Sequence, residues 1–395
     1  MKITQSSFSW VVRSVAAFLA VGFGIAAGLH SGAVLSEAIS RPLAPTILGA
    51  WTYTSPGDGS FAAFTDGNHA VVESRWQGPE SLSLKRNIFP FPVPLARPAG
   101  TVRRYDFSGA ISPNRKLFAT ETRGAVAGSW RVYVWNLAHG HISPAVMPGR
   151  AQPPRSGDLA FSPDSRLVAS IGWVPHSRQM AVVLHEAESG KVYRRLPLPR
   201  QVRSGYSVRS VVFTSNNTLA CALCGNFVTL MRWNVASGQV LYSGRLNQVT
   251  DVGAMASFAG GHELVLSGSA PHRMDRPMVA ILDVATGRPI KLIRVDKDAG
   301  WTRRKMQGQY LSHICVTGDG RYAVATEFGL PDSEGLGNSS AGRFVIVDVK
   351  LRRIVYRSAT ISAEALWYVD VSPDGRRLLI AGNTRVYLLP APFRL

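Results

Sequence analysis

One short pattern occurs seven times in this chain, and such a repeat constrains the fold more than any single residue does. The copies are Phe64-Thr65-Asp66-Gly67, Ile111-Ser112-Pro113-Asn114, Phe161-Ser162-Pro163-Asp164 and Phe213-Thr214-Ser215-Asn216, then Phe258-Ala259-Gly260-Gly261, Val316-Thr317-Gly318-Asp319 and Val371-Ser372-Pro373-Asp374. Successive copies lie 45 to 58 residues apart. Each joins the end of one apolar strand to the start of another, such as 166–170 or 377–380. Self-similarity at this period signals units that bury their faces against one another.

Most units continue with a third strand and a polar turn. Trp135-Asn136 leads to Gly140, His185-Glu186 to Gly190, Trp233-Asn234 to Gly238, and Leu282-Asp283 to Gly287. The glycine predicts a short hairpin whose last position is left-handed. A fourth strand follows, as at 191–195 or 353–356. Four short strands per period predict the blades of a β-propeller. The last unit supplies only three, 366–371, 377–381 and 385–389, before Leu395. The apolar stretch 46–53, ahead of the first unit, predicts the missing outer strand, which would remove a free sheet edge. The expected fold is all-β: a seven-bladed propeller of four-stranded antiparallel blades over 39–395, closed by its N-terminal strand. A short hydrophobic helix is expected within 1–38.

The hairpin turns and the third-strand ends Trp135-Asn136, Trp233-Asn234, Leu282-Asp283 and Val347-Asp348 resemble those of the WD40/YVTN-like seven-bladed propellers. The Gly-His pair that often opens such repeats is missing. The resemblance implies scaffolding and partner binding, with enzymatic propellers as the alternative; fold alone does not decide between them.

The N-terminus carries Lys2 and Arg13 before an apolar run, 14–29, and then the small-residue sites Ser31-Gly32-Ala33 and Ser36-Glu37-Ala38. That order describes a secretory signal. Left uncleaved, 14–35 could just span a bilayer. Either way the propeller is expected outside the cytoplasm, in the periplasm or secreted.

Cys221 and Cys224 form a C-x-x-C inside a strand, where odd spacing sends the sulfurs to opposite faces. With no βα context and with Gly225 following, neither a thioredoxin-type site nor haem attachment fits. Both, and Cys315, read as small buried residues.

The formal net charge is +19. The segments joining blades are long and basic: 87–105 with Arg97, Arg103 and Arg104; 148–157 with Arg150 and Arg155; 197–209 with Arg200, Arg203 and Arg209; and 294–310 with Trp301, Arg303 and Arg304. Loops within blades are expected to add His176, Arg178, His272, Arg273, Arg276 and Arg343 to the same face. Convergent arginines and aromatics such as Phe89, Phe91, Tyr206 and Trp301 suit an interface and steer anionic partners. The surface expected to bind a partner comprises Arg97, Arg103, Arg104, Arg150, Arg155, Arg200, Arg203, Trp301, Arg303 and Arg304. Export argues against nucleic acid and for an acidic protein or another anionic envelope component.

No catalytic motif is present: no G-x-S-x-G, no H-E-x-x-H, no P-loop, no nucleotide-binding glycine fingerprint. No cofactor or metal is implied. Asp332 and Glu334, in the insertion 328–342, offer too few oxygens for a cation, and that insertion reads as a mobile loop. Three residues before each anchor stand Phe61, Ser108, Asp158, Ser210, Met255, His313 and Tyr368. On first strands lining a channel, Ser108, Asp158, Ser210 and His313, joined by Asp370, are expected at the channel mouth. They are the candidates for a ligand or catalytic role, against the plainer reading of hydrated polar groups in a wet channel.

Overall fold

The computed structural model describes residues 47–52, 59–74, 78–84, 93–95, 101–124, 130–138, 142–145, 159–173, 179–199, 207–270, 273–295, 310–330, 341–361 and 365–393. All of them lie within one compact unit, 42–395. The expected N-terminal helix and the insertion's Asp332 and Glu334 fall outside the described residues. Among those described, no helix is long and apolar enough to cross a membrane.

Seven four-stranded sheets form the molecule. Blade 1 runs Gly59–Phe64, His69–Ser74, Gly78–Ser83 and Val93–Pro94; blade 2 runs Thr101–Ile111, Leu117–Gly124, Trp130–Asn136 and Ile142–Ala145. Blade 3 is Ala160–Phe161, Leu167–Trp173, Met180–Glu186 and Val192–Pro197; blade 4 is Ser207–Ser215, Thr218–Cys224, Val228–Asn234 and Val240–Leu246. Blade 5 is Asp251–Phe258, Glu263–Ala270, Arg273–Asp283 and Pro289–Arg294; blade 6 is Tyr310–Val316, Tyr322–Leu330, Ala341–Asp348 and Arg353–Arg357. Blade 7 combines Leu366–Val371, Arg377–Gly382 and Arg385–Pro390 with Gly49–Thr52, which pairs antiparallel to Arg385–Pro390. The first strands touch in cyclic order, and blade 7 packs against blade 1, so the ring is closed.

The recurrent turn is explained by its hydrogen bonds. In blades 2, 3, 6 and 7 a Ser or Thr hydroxyl donates to the acid or amide two residues on, as Ser112 does to Asn114 at 2.7 Å and Ser162 to Asp164 at 2.6 Å. The same hydroxyl accepts the amide five residues on, from Leu117, Leu167, Tyr322 and Arg377. The Ser372 hydroxyl also holds the Asp374 carboxyl below its usual pKa. Proline or glycine follows the hydroxyl residue, where proline fits the turn.

The second polar turn caps itself too. Asn234, Asp283 and Asp348 accept the amide three residues on, each at 2.8 Å. This is what the Trp-Asp-like strand ends do here. Gly190, Gly238 and Gly287 close these turns with φ of 68°, 75° and 63°. Gly287 also lies under Tyr242 of the preceding blade, whose hydroxyl would sit 2.4 Å from an added Cβ.

Packing lies between blades. Each blade turns one apolar face to the blade before and one to the blade after, so alternate residues of a strand enter different cores. Cys221 joins the core shared with blade 3 and Cys224 the core shared with blade 5. The expected opposite faces are observed. Burial pushes both thiols up, Cys224 to about 12. Trp135 and Trp233, on third strands, are fully buried.

In blade 6 the second turn puts exposed Arg352 at φ 54°, where blades 3, 4 and 5 have glycine. A left-handed non-glycine residue costs about 1 kcal/mol. Arg352→Gly is therefore expected to stabilise the protein by about 0.5 kcal/mol after the unfolded-chain entropy of glycine is counted. Gly287→Ala is expected to destabilise it. Urea unfolding of both variants beside the parent checks the pair of signs.

Candidate functional site

The inner strands enclose a channel of about 730 Å³. First strands of blades 2 to 6 and hairpin turns of blades 2 to 5 line it, with Tyr368 from blade 7. The first strand of blades 1, 4, 5, 6 and 7 breaks register near its start. The residue after the bulge occupies one ring position in every one of these blades: Phe61, Ser210, Ala254, His313 and Tyr368. Counting back from the anchor gives Met255 for blade 5; the structure puts Ala254 there, because its Phe258-Ala259-Gly260-Gly261 turn has a different shape.

Side chains at the ring position reach the next blade. The Ser210 hydroxyl accepts the Met255 amide at 3.0 Å. His313 Nδ1 accepts the Val369 amide at 3.4 Å. A backbone N–H can only donate to an unprotonated nitrogen, so His313 carries its proton on Nε2. Its ring stacks on Tyr368 with centroids 3.7 Å apart. Tyr368 meets Phe61 at 4.3 Å, and Phe61 meets Phe118 at 5.0 Å. Thus blades 6, 7, 1 and 2 are joined by aromatic contacts. Burial pulls the His313 pKa down to about 3. It does the same to His185, pulled to about 4 in the face that blade 3 turns to blade 2, where Nε2 lies 3.3 Å from the Ser170 hydroxyl.

Asp370 lies at the turn end of its strand, one residue before Val371, rather than at the strand's start with the ring. It accepts the Phe64 amide of blade 1 at 2.9 Å and both terminal nitrogens of Arg115 from blade 2, Nη2 at 3.1 Å. Arg115 Nη1 also donates to the Phe64 carbonyl at 3.0 Å. Burial works against the Arg115 charge, but Asp370 outweighs it and raises the guanidinium pKa.

Of the channel candidates, Ser210 and His313 share the ring, and Asp370 stands apart from it. Ser108 is placed only by its backbone, in Thr101–Ile111, and Asp158 lies outside the described residues. Of the expected docking residues, Arg97, Arg150, Arg155, Arg200, Arg203, Trp301, Arg303 and Arg304 also lie outside them. Arg103 and Arg104 sit on the first strand of blade 2 rather than in a loop. Arg209 is likewise on a strand, 3.5 Å from Asp251. Arg343 departs furthest from its expected loop position: it is buried in the third strand of blade 6, with Nε 2.7 Å and Nη2 3.1 Å from Glu327.

Sequence reasoning missed Arg115 and the buried carboxylates. An arginine where the matching turns carry Ser165, Gly320 or Gly375 was the available signal for the first. For the second it was a glutamate ending an apolar run, as in Ala70-Val71-Val72-Glu73. Glu73, Glu80 and Glu121 are buried, and each is engaged by other groups. Among the described residues no group of three or more His, Cys, Asp or Glu could hold a metal.

No protein-family model matches this sequence, and no curated protein does. Among solved structures, the chain is similar to Kuenenia stuttgartiensis hydrazine synthase, with a TM-score of 0.52 and 12% identity over 70% of this chain and 73% of that one. At that identity the likeness is one of fold.

The two depressed histidines make a pH prediction. Unfolded, both titrate near the ordinary pKa of about 6.5. Folded, they stay neutral to about 4 and about 3. Between those values and about 6.5 the unfolded chain therefore binds more protons, and stability falls as pH falls through that window. Between about pH 6.5 and 5 the loss should be about 1–3 kcal/mol. Urea midpoints across this window check it, and a His185→Gln, His313→Gln variant should flatten the slope.

Proposed function

We propose that this chain is a non-enzymatic interaction propeller of the WD40/YVTN-like kind. Its N-terminal segment exports it, and its basic loop face binds a protein or another anionic envelope component. The observation that carries this reading is the commitment of the polar groups best suited to chemistry. Ser210 and His313 are held by amides of the next blade, and His313 is also stacked on Tyr368. Asp370 is held by Arg115 and Phe64. A nucleophile or base needs a free lone pair aimed at a substrate. Here, among the described candidates, those lone pairs join blades, which favours the arginine-rich connections read from the sequence as the surface that meets a partner. The self-capping turns after Asn234, Asp283 and Asp348 support the family likeness.

The test is affinity capture from envelope extract with the full chain, parent beside an Arg103, Arg104, Arg303, Arg304→Glu variant. A partner held by the parent and released by the variant, more readily as salt rises, is the expected result. Identical partners on both proteins would end the loop-face reading. A reporter fused after Leu395 and active only outside the cytoplasm checks export independently.

A further inference from the structure

The seven outer strands are Gly49–Thr52, Val93–Pro94, Ile142–Ala145, Val192–Pro197, Val240–Leu246, Pro289–Arg294 and Arg353–Arg357. None contains an aspartate or glutamate. Blades 3 to 6 carry cations there, and among the described residues Arg194, Arg195, Arg245, Lys291, Arg294 and Arg353 take part in no ion pair. Large apolar side chains are exposed on the same strands: Tyr193 at 44%, Val240 at 46%, Leu241 at 43% and Leu292 at 38%. An outer strand also leaves one edge of backbone donors and acceptors unpaired, a template for another strand.

Blade 4 has the longest of these edges, seven residues. The registers tell which side chains flank it. Arg194 of blade 3 faces blade 4, since its Nη1 lies 3.4 Å from the Ser237 carbonyl. Arg245 pairs with Thr229, on the face that also carries Met231 and Trp233 toward blade 3, and its guanidinium lies 4.5 Å over the Phe227 ring. On the other side, Leu292 and Arg294 of blade 5 pair with Ala280 and Met278, which belong to the core shared with blade 4. A strand added to Val240–Leu246 would therefore send one row of side chains toward Arg194 and Arg245. Its other row would meet Leu292 and Arg294.

We propose that the outer edge of blade 4 docks an extended acidic peptide that adds a fifth strand, its carboxylates meeting Arg194, Arg245 and Arg294 and its apolar side chains Leu241 and Leu292. Backbone pairing supplies affinity, and the flanking side chains supply selectivity. Charge complementarity selects the occupant. A second copy would bring the same cations to the same edge and be repelled, whereas an acidic strand meets cations on both its faces. Exposed aliphatics between the cations favour a peptide over a nucleic acid, which asks for aromatic platforms.

The experiment measures binding of a fluorescent peptide of about ten residues, with glutamates and valines alternating in pairs so that both faces of the added strand carry carboxylates, to the full chain by anisotropy. Three competitors accompany it: the same peptide N-methylated at alternate residues, single-stranded DNA of similar length, and phosphatidylglycerol vesicles. The peptide should bind, N-methylation should weaken it about tenfold or more by blocking strand pairing, and Arg245→Glu with Arg294→Glu should weaken it as much. Both replacements are at exposed positions, and a melting curve confirms that the variant is folded. Arg194→Glu, Arg294→Glu is the second variant, should the first fail to fold. Equal binding of the methylated peptide, unchanged binding by the folded variants, absence of binding, or tighter binding of DNA or vesicles would overturn the proposal. So would loss of peptide binding in the Arg103, Arg104, Arg303, Arg304→Glu variant but not in the edge variants. That result would move the site to the loop face and leave the Proposed function standing.

Discussion

A ring of like sheets is stable only once its last member meets its first, and here one ion pair spans that junction. Arg115 of blade 2 reaches past blade 1 to Asp370 of blade 7, and both bond to Phe64 between them. Three blades are tied by two side chains at their inner strands, while the N-terminal strand completes blade 7 at its outer edge. Such a pair is weak evidence of net stability, because removing two charges from water costs about as much as their attraction returns. Its value lies in geometry. A one-blade slip would leave a largely buried carboxylate without its cation, and that error costs about 3–5 kcal/mol. The aromatic contacts His313–Tyr368–Phe61–Phe118 follow the same path around the ring, so polar and apolar specificity coincide at the seam.

Arg115 takes this position at a local cost. Its φ of 60° is a left-handed value that glycine supplies at the matching positions of blades 6 and 7. Local propensity favours Gly320 and Gly375, and tertiary bonding favours Arg115. The reach of the guanidinium decides the outcome, because no glycine could link three blades.

The fold was legible because its determinants are local. A hydroxyl, an acid or amide two residues on and a left-handed residue after it make the same turn in four blades, and seven related hairpins at blade-length spacing leave little choice of architecture. The closing strand was legible from count alone. The candidate site was much less so. Whether Ser210 is a nucleophile or a strap depends on the Met255 amide, which comes from another blade, and no spacing in the sequence encodes that meeting. The Ala254 register shows how fine the margin is: one residue of difference in a turn moved the ring position. Arg343 shows the same limit for charge. A cation beside a glycine-rich insertion reads as a loop residue until its Glu327 partner is seen on the adjacent strand.

Taken around the ring, charge is sorted radially. Glu73, Glu80, Glu121 and Glu327 are buried on second and third strands, while no outermost strand carries an acid and those of blades 3 to 6 carry cations. Burying a carboxylate requires a cation or several donors nearby, so part of the arginine content serves the interior, as Arg343 does. The acids withdrawn from the surface leave it more positive than a mixed distribution of the same residues would. For open sheet edges this has a definite consequence. Edges that share one sign of charge repel their own kind, which lets a propeller keep several of them uncovered without fibre formation. The same field lowers the cost of approach for a strand of opposite sign. Protection against self-pairing and selectivity for an acidic partner thus have a single cause, the absence of acids from the outer strands.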